Sequence, residues 1–585
     1  MRLEPKAKAA VGIFVLLLGL VGWAVKNHFA KSATETVTDA GTTTVVKKGA
    51  DGQPIINKAT GKPETEVVAH PNAAPAPAGN GPSTRSCGGA GEPACKIALS
   101  QWPGHSAGIL ACGGLTPQPG SYCTKVTSVI KPDLPPGLNV EFVFMETPDE
   151  KNVALQSGKV DAIWSTTDEM PINLPGFAKA LVDIVSFVQI DWSRGGDGCA
   201  ADASVTTPRD LLTHKGSVMK FSPDHTALEY YITNGDLTPA EVNKARANIS
   251  FSPDDFTYAR TLFCQNKVDV ACLWEPDLSL ALACRPNSHI LFSTKDATTL
   301  IADNLFARKD WLAANPGVAE KIARIFMKGG ELGGADKKWA AKLISTVEPR
   351  FRDELGYDKT LASLDWVRWN DLADNVAYFG VDGTPPKFDM VYKQADSIWS
   401  EYTETDGTPA LSQRFVPSKL RDGSIIKAIY DAEKTQRHND ALATGKPEAP
   451  IAVDKPTYKP EEIEAAPAKL VKPVTINFDT GATALDMGAR QILKAQVLTQ
   501  VGLVEGMGFR IEGNTDDTGN RAANIVLSKK RAAAVRDFLI SQGMDANRVV
   551  AEGKGPDNPK CNAKTPDCRA ANRRTDIVFV SATGN

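Results

Sequence analysis

Two groups of residues could do chemistry by type and spacing. Gly104-His105-Ser106-Ala107-Gly108 fits G-x-S-x-G, the turn that exposes a serine nucleophile at the end of a sheet. His225 or His289 downstream would supply the base, and aspartates are plentiful. The second group is Glu512-Gly-Asn-Thr-Asp516-Asp-Thr-Gly519, a polar loop leaving a strand, followed by Arg531 in the first turn of a helix. A carboxylate and a guanidinium meeting at a loop–helix junction make a receptor for a zwitterion. The acid pairs an ammonium and the arginine clamps a carboxylate. The plain alternative is a surface ion pair beside a glycine turn, worth little energy. Histidines never come closer together than His214 and His225 and no C-x-x-C occurs, so no metal site or cofactor is expected.

The elements that must position these groups follow from pattern. Residues 96–435 alternate apolar strand-like runs with helical stretches, a β/α rhythm. Expected strands are Lys96–Leu99, Val140–Phe144, Ala162–Trp164, Ile184–Ile190, Val218–Phe221, Val268–Trp274 and Ile290–Phe292. Thr238-Pro239-Ala240-Glu241 is a capping box with proline at the first helical position, and Asn315-Pro316 opens another helix. Residues 470–585 form a separate, smaller β/α unit. It has strands at Val474–Phe478, Gly508–Glu512 and Thr575–Val580, and helices around Ala484–Val501 and Ser528–Gln542. Residues 32–95 and 436–469, rich in Pro, Ala, Thr and charge, read as linkers. The serine-hydrolase reading is weakened by this layout. A nucleophile elbow follows a central strand reached after several earlier ones, whereas the chain upstream of Ser106 is mostly linker.

The chain has 585 residues and a net charge of −3, from 66 basic and 69 acidic side chains. It has no global basic field and no local Lys/Arg block, so nucleic acid is not an expected partner. Near the N-terminus, Ala9–Val25 is an uncharged apolar run flanked by lysines. At ~1.5 Å per residue it spans about 25 Å, enough for a membrane anchor if the flanking lysines snorkel. Residues 1–31 are expected to form a short cytoplasmic stub and an uncleaved inner-membrane helix, with the rest exported. The ten cysteines, an even number in an exported chain, are expected to pair in an oxidising compartment.

Glu512–Gly519, the run Asn524 to Val535 (N-x-x-LSKKRAAAV), GKG-x-x-x-P and Asn572-Arg573-Arg574 resemble the OmpA-like peptidoglycan-binding domain over about 110 residues. The resemblance implies that Asp516 and Arg531 grip the amino and carboxylate ends of diaminopimelate in the peptidoglycan stem peptide. It further implies that Thr515, Asn524 and Arg573 line the same site. Asn514 departs from the family, which often has His or an aromatic there. Some members carry a disulfide where Cys561 and Cys568 stand.

The motifs Leu99-Ser-Gln-Trp102-Pro-Gly104, Leu155-Gln-Ser-Gly-Lys-Val-Asp161, Ser165-Thr-Thr-Asp168-Glu169, Asp191-Trp-Ser193 and Val268 to Pro276 come in an order similar to that of the nitrate/sulfonate/taurine class of periplasmic solute-binding proteins. This resemblance implies a type II-like fold of two α/β lobes. Lobe 1 would be about 96–197 and 298–435, and lobe 2 about 198–297, with the chain crossing near 195–205 and returning near 285–300. In such a cleft Trp102 and Trp274 would cover an apolar ligand part. Ser165, Asp168, Asp191, Ser193, His225, Glu275 and Asp303 would supply polar contacts to a small polar or anionic solute, the acids suiting an amine better than a bare oxyanion. The expected whole is a non-enzymatic receptor or sensor of a Gram-negative cell envelope, anchored in the inner membrane and tethered to peptidoglycan. Its partner would be an ABC permease or an envelope complex. A structural tether whose receptor fold has lost its ligand is the alternative.

Overall fold

The computed structural model describes residues 85–581 apart from 125–136, 253–256, 405–406, 448–450, 452–457 and a few positions between 467 and 506, together with three short strands upstream. Those strands, Glu35–Val37, Thr42–Val46 and Thr65–Ala69, pair antiparallel into one small sheet where a plain linker was expected. Their Thr and Val residues are β-branched and favour extended backbone even without an apolar period. They belong to a unit ending at Gly81, distinct from Pro82–Asn585. The expected anchor, Ala9–Val25, lies outside the described residues. Among the described residues no helix is long and apolar enough to cross a membrane.

The receptor-like domain holds two sheets. In lobe 1, β1 (Cys95–Leu99), β2 (Val140–Phe144), β3 (Ala162–Thr166) and β4 (Ile184–Ser193) are laid down in sequence. The chain then crosses into lobe 2 for β5 (Asp197–Ala201), β6 (Gly216–Met219), β7 (Ile249–Ser252), β8 (Val270–Trp274) and β9 (His289–Ser293), and returns as β10 (Ala302–Arg308). A short edge strand, β11 (Val367–Trp369), completes the first sheet. The orders are β2-β1-β3-β10-β4-β11 and β7-β6-β8-β5-β9. Both lobes share one plan. Three parallel strands are followed by an antiparallel strand that has just arrived from the other lobe, and then by one more, to which lobe 1 alone adds the edge strand β11. This is the two-lobe arrangement expected from sequence, and the crossings fall at 194–196 and 294–301. All ten residues of β4 are buried, and its polar members find partners inside: Ser186 Oγ donates to Asn304 Oδ1 and Gln189 Nε2 to Asp191 O.

Helices pack around these sheets: α1 (Ser106–Cys112), α2 (Pro223–Thr233), α3 (Pro239–Ala247), α4 (Pro316–Ala335) and α5 (Ser424–Thr444). The Thr238 capping box forms as read, with Thr238 Oγ1 accepting from Glu241 N–H and Glu241 Oε2 accepting from Thr238 N–H. Helix α5 runs to Thr444, beyond the expected start of the second linker at 436. All ten cysteines pair: Cys87–Cys95, Cys112–Cys123, Cys199–Cys272, Cys264–Cys284 and Cys561–Cys568. Cys199 and Cys272 face each other directly across the β5–β8 register.

The C-terminal domain is a four-stranded sheet of β12 (Ala468–Val474), β13 (Met507–Asn514), β14 (Val549–Gly555) and β15 (Thr575–Ser581), in the order β12-β15-β13-β14. Helix α6 (Arg521–Ser541) covers it, burying Ala532, Val535 and Leu539 on one face. This helix starts seven residues earlier than the expected Ser528, because Asn520 caps it by accepting from Ala523 N–H. The first strand ends at Val474, where the sequence reading had it begin. The strand Val549–Gly555 and the helix Pro566–Asn572 had not been read at all.

Candidate functional site

Between the lobes lies a narrow crevice lined by Ser100, Trp102, His105, Trp164, Thr166 and Ile301 of lobe 1, Asp197, Pro223 and Trp274 of lobe 2, and Asp303 on the returning strand. Strand ends place most of these residues. Trp102 and His105 lie just past β1, Trp274 ends β8, and Asp303 and Asp197 sit near the starts of the two crossing strands β10 and β5. Trp102 packs with Met219 and Trp274 from the opposite lobe. Its indole Nε1 donates to Asp191 Oδ1 at 3.1 Å. His105 Nδ1 accepts from Ser100 N–H at 3.3 Å, which leaves Nε2 to donate to Asp303 Oδ1 at 2.9 Å. His105, Asp191 and Asp303 bring one ligating atom each within 4.8 Å of one another, although neither motif nor spacing had marked His105 for this role.

Both crossings are fastened at the same point. Thr294 Oγ1 accepts from Gly195 N–H at 2.8 Å and sits 2.7 Å from Ser193 Oγ. Ser193 therefore ties the two crossings to each other. Ser165 is turned inward as well, donating to Glu169 Oε2 at 2.7 Å, while Lys151 Nζ donates to the same oxygen at 2.9 Å. Glu275 accepts from Ser279 Oγ at 2.9 Å, and burial pushes its pKa up to about 8. Asp168 is fully buried; burial first, and then the neighbouring Glu169 charge, push it up to about 7. Burial, reinforced by the charges of Asp303 and Asp197, holds Asp191 well above the usual carboxylate range.

His225 is not at the crevice. It sits in an aromatic box of Phe221, Phe251, Trp399 and Tyr402, with Nδ1 accepting from Phe221 N–H at 3.0 Å. Burial, with the charges of Arg246 and Lys220, lowers its pKa to about 3, as expected of a neutral core histidine. The serine motif is also structural. Ser106 is fully buried and donates to Glu348 Oε1 at 2.5 Å, with no histidine as partner. A Cβ on Gly104 would fall 2.3 Å from the Asp191 carboxylate, and one on Gly108 would strike Phe326 and Phe142. Close packing against α4 and β4 accounts for both glycines, and Ser106 is a buried hydrogen-bond donor and not an exposed nucleophile.

In the C-terminal domain a second cavity is lined by Ile476, Phe478, Gly513, Asn514, Arg531, Arg573, Arg574 and Thr575. Arg531 lies in the third turn of α6, not the first as expected, and reaches the site along the helix side. Its guanidinium is 4.8 Å from the Phe478 ring, and its Nε donates to Ala482 O at 3.1 Å. Asp516 accepts from Thr518 N–H at 3.0 Å and from Thr518 Oγ1 at 2.5 Å, and Arg573 Nη1 donates to its other oxygen at 2.7 Å. Partial burial raises its pKa, but the Thr518 and Arg573 hydrogen bonds outweigh it, so the carboxyl titrates below its ordinary value. Thr515 Oγ1 donates to Asp516 O and Asn524 Nδ2 to Thr518 O, so these two shape the loop. The family departure Asn514 is buried at the cavity wall and donates to Asp576.

A model of the OmpA family matches residues 477–573. Over 143 residues the chain is 38% identical to outer membrane protein A of Bordetella avium, a match covering 24% of this chain and 71% of that protein. Over 107 residues it is 35% identical to the peptidoglycan-associated lipoprotein of Agrobacterium fabrum, covering 18% of this chain and 60% of the lipoprotein. Among solved structures, the periplasmic aliphatic sulphonate binding protein SsuA of Escherichia coli aligns with 51% of this chain and 87% of its own, at 18% identity and a TM-score of 0.37. The chain belongs to the OmpA family, by way of its C-terminal domain.

Proposed function

We propose that this OmpA-family chain is a solute receptor of the Gram-negative cell envelope, held to peptidoglycan by its C-terminal domain. The observation that carries this reading is the pair of cavities on one chain, one between the two lobes and one lined by Arg531, Arg573 and Arg574, with Arg573 paired to Asp516 of the adjoining loop. Carboxylate and guanidinium together suit the ammonium and carboxylate ends of diaminopimelate in the stem peptide, and one relative is named for its association with peptidoglycan. Asp516 would take the ammonium and Arg531 the carboxylate. Thr515 and Asn524 hold the loop, and Arg573 occupies Asp516 until the ligand arrives. Ala9–Val25 would fix the other end in the inner membrane. A receptor held at both ends suits a sensor or scaffold better than a shuttle to an ABC permease. Closure of the lobes about 194–196 and 294–301 is the working motion.

The test is co-sedimentation of the full chain, in detergent, with purified sacculi. Binding that free diaminopimelate displaces supports the tether. A chain that stays in the supernatant, folded, refutes it.

A further inference from the structure

Resting on the receptor reading, we infer that the crevice between the lobes takes a small organic cation, an alkylated or primary ammonium, and not an anion. Carboxylates converge on it from both sides. Asp303 of lobe 1 and Asp197 of lobe 2 line the crevice, and both are nearly fully buried. Asp191 stands behind Asp303, and Asp224 lies in the first turn of α2, beside the lining residue Pro223.

Nearby basic groups are already engaged. Lys151 is completely buried and bonded to Glu169, with its ammonium 3.3 Å from the centre of the Trp164 ring. His105 is bonded to Asp303. Among the described residues no lysine or arginine lines the crevice. An anion entering it would meet carboxylates and no guanidinium. Asp191 Oδ2 and Asp224 Oδ1 have no hydrogen-bond partner although both side chains are buried. Buried acceptors left this way are costly unless something donates to them.

The walls choose between kinds of cation. Trp102, Trp164 and Trp274 line the crevice, and tryptophan faces attract ammonium groups while also accepting their alkyl substituents. A bare divalent ion gains nothing from indole carbon. The ligating trio of His105, Asp191 and Asp303 also falls short of the four to six donors such ions take. The site is therefore acidic at its base and aromatic at its sides.

The experiment is a thermal-shift and calorimetric titration of the full chain in detergent. The probes are choline, tetramethylammonium and putrescine as cations, ethanesulfonate and sulfate as anions, and Zn²⁺ and Mn²⁺ as metals. Saturable binding of at least one organic cation is expected, raising the melting temperature by about 3 °C at a hundred times Kd. Asp191→Asn, which keeps an acceptor for Trp102, should weaken that binding at least tenfold while the variant melts no lower than wild type. Trp274→Ala should weaken it as well. Binding of the anions alone overturns the proposal and leaves the receptor reading standing. Metal-only binding, reversed by EDTA, overturns it in favour of the His105–Asp191–Asp303 trio. Silence of every probe, on protein stripped of carried ligand by unfolding and refolding, overturns the proposal and the receptor reading together.

Discussion

Glu348→Gln isolates one buried carboxyl whose partner is known. Glu348 is fully enclosed, and Ser106 Oγ donates to it at 2.5 Å. Burial first, and then the charge of Glu146, lift its pKa from an ordinary 4.5 to about 8. At about 1.36 kcal/mol per pKa unit, this amounts to about 5 kcal/mol as an upper bound. The sign follows from linkage. Between pH 4.5 and 8 the folded protein keeps a proton that the unfolded chain gives up. Stability therefore falls as pH rises through this window and levels off above it. Gln keeps the acceptor for Ser106 and has no charge to bury, so its variant escapes the loss. Urea melts at pH 5, 7 and 9, followed by tryptophan fluorescence, provide the assay. The signal reports the receptor domain alone, since Trp102 to Trp399 lie in it, Trp23 lies far upstream and the C-terminal domain has none. The variant should match wild type near pH 5 and exceed it by several kcal/mol at pH 9. A difference that stays constant with pH refutes the argument.

Asp516→Asn keeps the acceptor for Thr518 but loses the charge. A charged hydrogen bond worth about 1.5–3 kcal/mol predicts sacculus binding weaker by roughly 10- to 150-fold, measured by co-sedimentation. Its melting temperature should barely move, because the Arg573 partner is half exposed. Replacing both Cys199 and Cys272 by Ala reopens a loop of sequence separation 73. Chain entropy then predicts a loss of about 4 kcal/mol in urea denaturation. Thr294→Val removes the hydroxyl that bonds Gly195 N–H and Ser193 Oγ. Limited proteolysis should show faster cleavage near 194–196, at a stability cost of about 1–3 kcal/mol.

Much of the architecture was legible because it was written in periodicity. The run Ile184–Ile190 is mostly apolar, interrupted by Ser186 and Gln189, and its strand is buried along its whole length, while Pro239 and Pro316 mark helix starts that formed where they were read. The disulfides followed from even count and export, though their pairing is a matter of tertiary proximity that spacing does not encode. The site was less legible. His105 looked like a filler residue inside a serine motif, and only the return of β10 across the lobe brings Asp303 to it. His225 looked like a ligand at a helix start, but four aromatic side chains from elsewhere in the chain close over it. Arg531 was placed a full two turns too early along its helix because the Asn520 cap went unread. In each case the deciding contact lies far away in sequence.

The sign of the crevice charge also bears on how the lobes would move. Asp191 and Asp303 belong to one lobe, and Asp197 and Asp224 to the other. Bringing the lobes together therefore brings like charges together, and each carboxylate that remains ionised opposes closure. A cation lodged between them would attract both sides at once, so its affinity for the closed arrangement exceeds that for the open one. Differential affinity of this kind is what shifts a two-state equilibrium. An anion would have to close the same lobes against the same repulsion, adding its own charge to it. The acids that make the crevice selective would thus also make closure depend on the ligand, and Thr294 would let the two crossings bend as one joint.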